Sequence, residues 1–196
     1  YDQAAWRGTW QMDGGALMNQ SVHGLDLLLW LMGSPVRRVS GLIARRAHRM
    51  EAEDLGCAVL ELQSGALCLV EGTTNTPPNR QEAEICLTGT RGTVTAGIRS
   101  GRPSLTIRDE EGKSRTGLFL VSVLRTYARN HRLGEFARIA CPHTLLYKDL
   151  LDGWTDHRLP LADGASGKSA VEAVLAVYRS ALESRPVEMP LQDFSL

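Results

Sequence analysis

Hydrophobic and polar positions along the chain follow two different periods, and the change falls at Pro35. Before it, Met18, Val22, Leu25, Leu29 and Met32 recur at steps of three and four, the stripe that a helix lays against a core. Residues 13–33 therefore predict one helix. Asp13 is its expected N-cap, because a carboxylate there can accept from first-turn N–H groups that have no partner inside the helix. Gly33 followed by Pro35 is the matching stop signal. A second row on this helix is polar: Asn19, His23 and Asp26 stand at i, i+4 and i+7 and share one face. Gly14 and Gly15, placed in the first predicted turn, cost about 1 kcal/mol each relative to Ala. That cost is tolerable where a ligand or another chain segment must approach the backbone closely, which makes Gly15 a candidate contact.

After Pro35 the period becomes two. Residues 36–44, 55–62, 66–73, 83–88, 93–98 and 104–107 are short runs rich in Val, Ile, Leu and Thr, bounded by Gly, Ser, Asn and Pro, and they predict strands. Ser64-Gly65 and residues 89–92 are tight turns, so consecutive strands are expected to pair antiparallel. In residues 56–63 alternation is clear, with Cys57, Val59 and Glu61 opposite Ala58, Leu60 and Leu62. The resulting expectation is an α+β fold, an open, mostly antiparallel sheet with helices packed on one face. Its other face is less polar than a free surface and is a candidate for pairing with a second subunit.

Beyond the strands the texture is mixed. Residues 74–81 are a loop by composition. Residues 117–141 are ambiguous, with Leu120, Val123, Leu124 and Tyr127 suggesting a helical turn or two before an Arg-rich remainder. Residues 143–154 form an amphipathic helix on which His143 and Tyr147 lie one turn apart, facing either a pocket or the underside of the sheet. The run GASGKS resembles a phosphate loop but lacks its first glycine, since Ala162 stands there, and no adequate strand precedes it. It reads instead as the turn into a last helix over 167–184, with Val171, Val174, Leu175, Tyr178 and Leu182 inward.

Composition changes this picture little. The 196 residues carry 22 basic and 22 acidic side chains and are 43% hydrophobic, as expected for one globular domain with a sizeable core. Charges of both signs are interspersed, so a nucleic acid or an anionic membrane is not an expected partner. No apolar run reaches the roughly 18 residues needed to span a bilayer, and a cytoplasmic location is expected. Cys57, Cys68, Cys86 and Cys141 are scattered singly and read as buried reduced thiols, with no metal site.

Candidate chemistry concentrates near the N-terminus. The histidine is either a satisfied core residue or a proton-handling group. Trp6, Arg7 and Trp10 either cover the helix or hold a polar group of a ligand. The motifs WRGTW and DGGALMNQSVHGLDLLLWLMG resemble the start of the C-terminal domain of the Gfo/Idh/MocA oxidoreductases, in which a glycine pair, then Asp or Asn, then His and Asp follow at the spacing of Gly14, Gly15, Asn19, His23 and Asp26. Weaker likenesses, at Asp163-Gly164, residues 177–181 and Pro190, extend the resemblance over nearly the full chain.

That resemblance implies an NAD- or NADP-dependent enzyme acting on a sugar, inositol or related polyol. His23 would handle the proton, while Asn19, Arg7 and Trp10 would hold substrate and Asp26 would support them from behind. Many members have Asp where this chain has Asn19, and an Asn cannot supply the negative charge that favours an imidazolium. No G-x-G-x-x-G follows a strand. The chain therefore reads as the substrate-binding and oligomerisation domain over 1–196, with the cofactor bound mainly by an N-terminal Rossmann domain absent from it, and as inactive by itself. A rival reading is a non-catalytic carbohydrate-binding or assembly module. A metal-dependent hydrolase is more distant, because His23 and Asp26 have no obvious third ligand.

Overall fold

The computed structural model of the protein describes residues 4–130 and 142–192. These divide into two compact units, one built from residues up to Pro78 together with those from Gly164 onward, the other from Asn79–Asp163. The six strands expected from period-two patterning are all present, but they form two sheets. The break comes at the proline-containing loop after residue 74, which lacks the alternation needed to continue a ladder.

In the first unit β1 (Val36–Ala44), β2 (Leu55–Leu62) and β3 (Leu67–Thr73) are joined by β7 (Val187–Glu188) in the order β3-β2-β1-β7. All neighbours are antiparallel. The expected alternation holds: Ala58, Leu60 and Leu62 are buried, while Cys57 and Val59 are exposed. Two helices cover the inner face, α1 (Val22–Met32) and α4 (Gly164–Glu183). Leu17, Leu25, Val39, Leu60, Leu62, Val174 and Tyr178 meet between helices and sheet, and burying each such side chain contributes roughly 1.5–3 kcal/mol. Gly41 lets α4 lie flat on β1, since a Cβ there would sit 2.6 Å from Val177 Cγ1.

Several expectations are corrected here. The last helix begins earlier than predicted, at Gly164, and its inward face is Ala173, Val174, Val177 and Tyr178, whereas Val171 and Leu182 are exposed. Among the described cysteines, Cys57 and Cys86 are exposed and Cys68 is buried. Cys141 lies outside the described residues. Burial holds the Cys68 thiol pKa above its usual range.

The second unit is a three-stranded antiparallel sheet, β4 (Glu82–Gly89), β5 (Gly92–Arg99) and β6 (Arg102–Asp109), with α2 (Thr116–Asn130) and α3 (Pro142–Thr155). The ambiguous segment is thus helical up to Asn130. The fold is α+β with open antiparallel sheets. No described helix is long and apolar enough to cross a membrane.

Candidate functional site

The predicted central helix is real, but its start is built differently. Gly14 and Gly15 precede the helix rather than filling its first turn, and Gly14 takes a left-handed φ of 68°. A π-helical turn, Leu17–Ser21, then runs into α1 and ends at Gly33 in the left-handed conformation. π-turns recur at functional sites because they displace side chains from regular helical register. This one sits directly on the sheet. Gly56 of β2 and Gly72 of β3 are cross-strand partners, and a Cβ on either would come within 2.5 Å of Leu17 or 2.0 Å of Ser21. The pair of glycines leaves a bare patch into which the π-turn settles.

Asp13 is not the N-cap. Its carboxylate accepts from the Gly8 N–H at 3.3 Å and from the Asn19 side-chain amide. The orphan N–H groups of the helix are met instead by Glu53, which lies immediately before β2. The Ala16 N–H donates to the Glu53 carbonyl at 2.9 Å and the Leu17 N–H to Glu53 Oε1 at 2.8 Å. The Tyr178 hydroxyl of α4 donates to the same oxygen at 3.0 Å. Glu53 is 2% exposed, and its Oε2 has no partner among the described residues. Burial raises its pKa, against the lowering effect of the Leu17 and Tyr178 bonds. Tyr178 is raised as well, by burial and then by the neighbouring Glu53 carboxylate. A Cβ on Gly15 would fall 1.9 Å from Glu53 Oε2. The structure therefore gives Gly15 a packing reason: it admits the carboxylate that holds the helix.

Asp54 anchors the loop on the other side. It accepts the backbone N–H groups of Arg46, Ala47 and His48 at 2.7–2.9 Å and the Asn75 amide at 3.0 Å. Burial alone would raise its pKa, but the bonds from His48, Asn75, Ala47 and Arg46 outweigh it and hold the carboxyl at about 2. Adjacent carboxylates are thus pushed in opposite directions, because Asp54 is fully satisfied and Glu53 is not.

Sequence reasoning missed Glu53, Asp54 and Tyr178 as a group. The available signal was an acidic pair placed directly ahead of the apolar strand β2, where two unpaired charges have no business being buried.

The remaining candidates fall as follows. His23 is exposed on α1, one turn beyond Asn19, and its imidazole makes no hydrogen bond to a described residue. Asp26 is half-buried on the same helix. Asn19 is half-buried; its amide donates to Asp13, and its Oδ1 accepts from Gln20. Leu27, Trp30 and Leu31 continue the exposed side of α1 as an apolar patch. Trp10 is half-buried, edge-on to Tyr178 with ring centroids 5.1 Å apart, and its backbone N–H donates to Glu51. It also lines an open cleft of about 500 Å³ with Trp6, Thr9, Gln11, Met12 and Glu51. Arg7 is not part of that lining; its guanidinium stacks over Trp6 at 5.3 Å, a cation–π contact. His143 and Tyr147 stand exposed on α3, in the other unit.

The described residues thus present a polar row on an anchored helix over an open antiparallel sheet, and no dinucleotide-binding fold is found among them. The family model described as "Oxidoreductase family, C-terminal alpha/beta domain" matches residues 1–189. The chain belongs to the Gfo/Idh/MocA oxidoreductase family, as its C-terminal domain.

Among solved structures, the chain is similar to the WlbA dehydrogenase of Bordetella pertussis, solved with NADH and UDP-GlcNAcA, at 33% identity and TM-score 0.72 over 98% of this chain and 50% of that one. The WlbA dehydrogenase of Chromobacterium violaceum, with the same two ligands, matches at 32% identity and TM-score 0.71 over 98% and 51%. The aldose-aldose oxidoreductase of Caulobacter crescentus, complexed with glycerol, shares the fold at 20% identity and TM-score 0.64 over 90% and 48%. The chain thus spans about half the length of these structures. No protein of curated function matches it.

Proposed function

We propose that the intact protein moves a hydride between a nicotinamide cofactor and a sugar, inositol or related polyol, and that this chain supplies the substrate side of the site. The observation that carries the reading is the exposed imidazole of His23 one turn beyond Asn19, on a helix whose start is fixed by buried Glu53. Such an imidazole is open to a substrate hydroxyl and needs no rearrangement to meet it. When bound, NAD or NADP would supply the hydride acceptor or donor. It is held mainly by a domain outside this chain, since no glycine fingerprint opens a helix here. In the oxidative direction neutral His23 takes the hydroxyl proton as the hydride leaves the same carbon. Asn19 orients the substrate, and Asp26 supports that row from the partly buried side of the helix. Trp10 and Arg7 bound the substrate at the N-terminal end of the chain. Gly15 acts through the helix start.

Within this range a UDP-linked sugar acid is the favoured substrate, because the relatives at 33% and 32% identity were solved with UDP-GlcNAcA. The test is nicotinamide absorbance with the intact protein. UDP-GlcNAcA with NAD is expected to give turnover at least about tenfold above that with free glucose or inositol, a difference of roughly 1.4 kcal/mol in transition-state binding. Turnover confined to free polyols would remove the nucleotide-sugar reading, and binding without any redox change would favour a carbohydrate-binding module.

The same reading extends to assembly. Leu42 is 74% exposed, Leu67 69% and Leu69 83%, and with Cys57 and Val59 they cover the outer face of β1, β2 and β3. A face this apolar suits a second copy of the chain. The intact protein is expected to be a homo-oligomer that Leu69→Glu with Leu42→Glu converts to a monomer. Light scattering reporting a wild-type monomer at high concentration would end this proposal.

A further inference from the structure

Asn19 is not alone at the start of its row. Residues 9–14 fold into a tight turn in which the Asp13 N–H and Gly14 N–H both donate to the Thr9 carbonyl, at 3.2 and 2.8 Å. That turn holds the Asp13 carboxylate against the Asn19 side chain, with Asp13 Oδ2 taking the Gly8 N–H at 3.3 Å and Asp13 Oδ1 taking the Asn19 Nδ2–H. The Asn19 backbone is fixed too, its N–H donating to the Gly15 carbonyl at 3.0 Å.

A carboxylate only accepts hydrogen bonds, whereas an amide has one donating and one accepting end. With Asp13 beside it, the donating end of Asn19 must face inward, because the reverse would set a carbonyl oxygen against a carboxylate. The accepting end, Oδ1, is then turned outward, where it meets the exposed Gln20 amide at 2.5 Å. Such a contact is one that a ligand hydroxyl or an imidazolium N–H can replace.

We propose that Asp13 is a positioning residue that orients the Asn19 amide, so that Asn19 meets the substrate as a fixed hydrogen-bond acceptor. The inference rests on the reading of Asn19 as a substrate contact. It explains the departure noted at this position. An aspartate at 19 would place two carboxylates within hydrogen-bond distance, where both cannot stay ionised without strong repulsion. The pair therefore accommodates one charge and one amide, in the arrangement Asp13 with Asn19, and the negative charge is carried one step back from the substrate.

The test is a charge swap in the intact protein, with UDP-GlcNAcA and NAD as the probe. Asp13→Asn lets the amide of residue 19 flip, and Asn19→Asp brings two carboxylates together. Each is expected to lower kcat/KM about tenfold, mainly through the sugar-nucleotide KM and with the NAD KM unchanged. The double variant Asp13→Asn with Asn19→Asp restores one charge and one amide, and is expected to recover to within about threefold of wild type. Rescue shows that the two positions act as a pair, and a loss confined to the sugar-nucleotide KM, at unchanged NAD KM, is what a purely structural role would not produce.

Asn19→Ala separates the two claims. A loss with Asn19→Ala but not with Asp13→Asn overturns the positioning role alone. No loss with Asn19→Ala overturns the substrate contact and the inference with it. Should Asp13→Asn fail to fold, Asn19→Asp and the swap decide the matter, since absence of recovery overturns the proposal. A readout independent of turnover is NMR exchange of the Asn19 side-chain amide protons. These are expected to exchange at least about tenfold slower in wild type than in Asp13→Ser, as for a charge-assisted bond, and equal rates overturn the orientation.

Discussion

Replacing His23 by Ala in the intact protein is expected to lower turnover by about 10² to 10⁴, the range that positioned acid–base groups supply. The cofactor's affinity should hardly change, because no described contact ties His23 to a nucleotide-holding turn. Folding should also be preserved: the imidazole is exposed, and no hydrogen bond to a described residue is lost with it. His23→Asn keeps polarity and some hydrogen bonding while removing the proton exchange, so substrate affinity should partly survive where the rate does not. Steady-state kinetics with both substrates varied separates these outcomes. Turnover of His23→Ala within about threefold of wild type would mean that the general acid–base role is wrong and that His23 only lines the site.

Gly15→Ala is expected to cost about 3 kcal/mol of stability, from overpacking and from the helix-start bonds lost with it. The added Cβ would lie 1.9 Å from Glu53 Oε2 and 2.3 Å from the Glu53 carbonyl oxygen, so the backbone and the carboxylate must both move. The bonds from Ala16, Leu17 and Tyr178 to Glu53 depend on that placement. The check is a shift in the denaturant midpoint of the intact protein at unchanged slope. A variant of wild-type stability with impaired substrate affinity would restore Gly15 to the role of a direct contact, since a residue facing open substrate space has room for a methyl group.

Two glycines before a helix signal close approach, but not of what. At Gly15 the approaching group is Glu53, 38 residues further on, and no local rule pairs the two. Asp13 is similar. Its type and position suit an N-cap, and it was free to be one until a π-turn displaced the helix start and Glu53 took the orphan N–H groups. Asn19, His23 and Asp26 were legible as a row because helical geometry alone fixes their spacing. Whether His23 points to solvent or to the core depended on which side of α1 meets α4 and β1, and both sides of that helix are apolar enough to compete.

The sequence by itself determined the six strands β1 to β6 and the end of α1. Period-two runs placed β1 to β6 to within two residues, and Gly33 stopped α1, because strand alternation and helix capping are properties of neighbouring residues. The exposed apolar outer face of the first sheet was determined in the same way, since one strand's alternation fixes both faces at once. Tertiary structure alone decided the division into two sheets, the pairing of the short strand β7 with β1, and the anchoring of the helix start. Each depends on partners far apart in the chain, such as Tyr178 with Glu53 and Gly41 with Ser180. Burying a carboxylate is too costly to be expected from its residue type. It becomes affordable only when helix N–H groups and a tyrosine hydroxyl converge on it, and that convergence exists only in the folded chain.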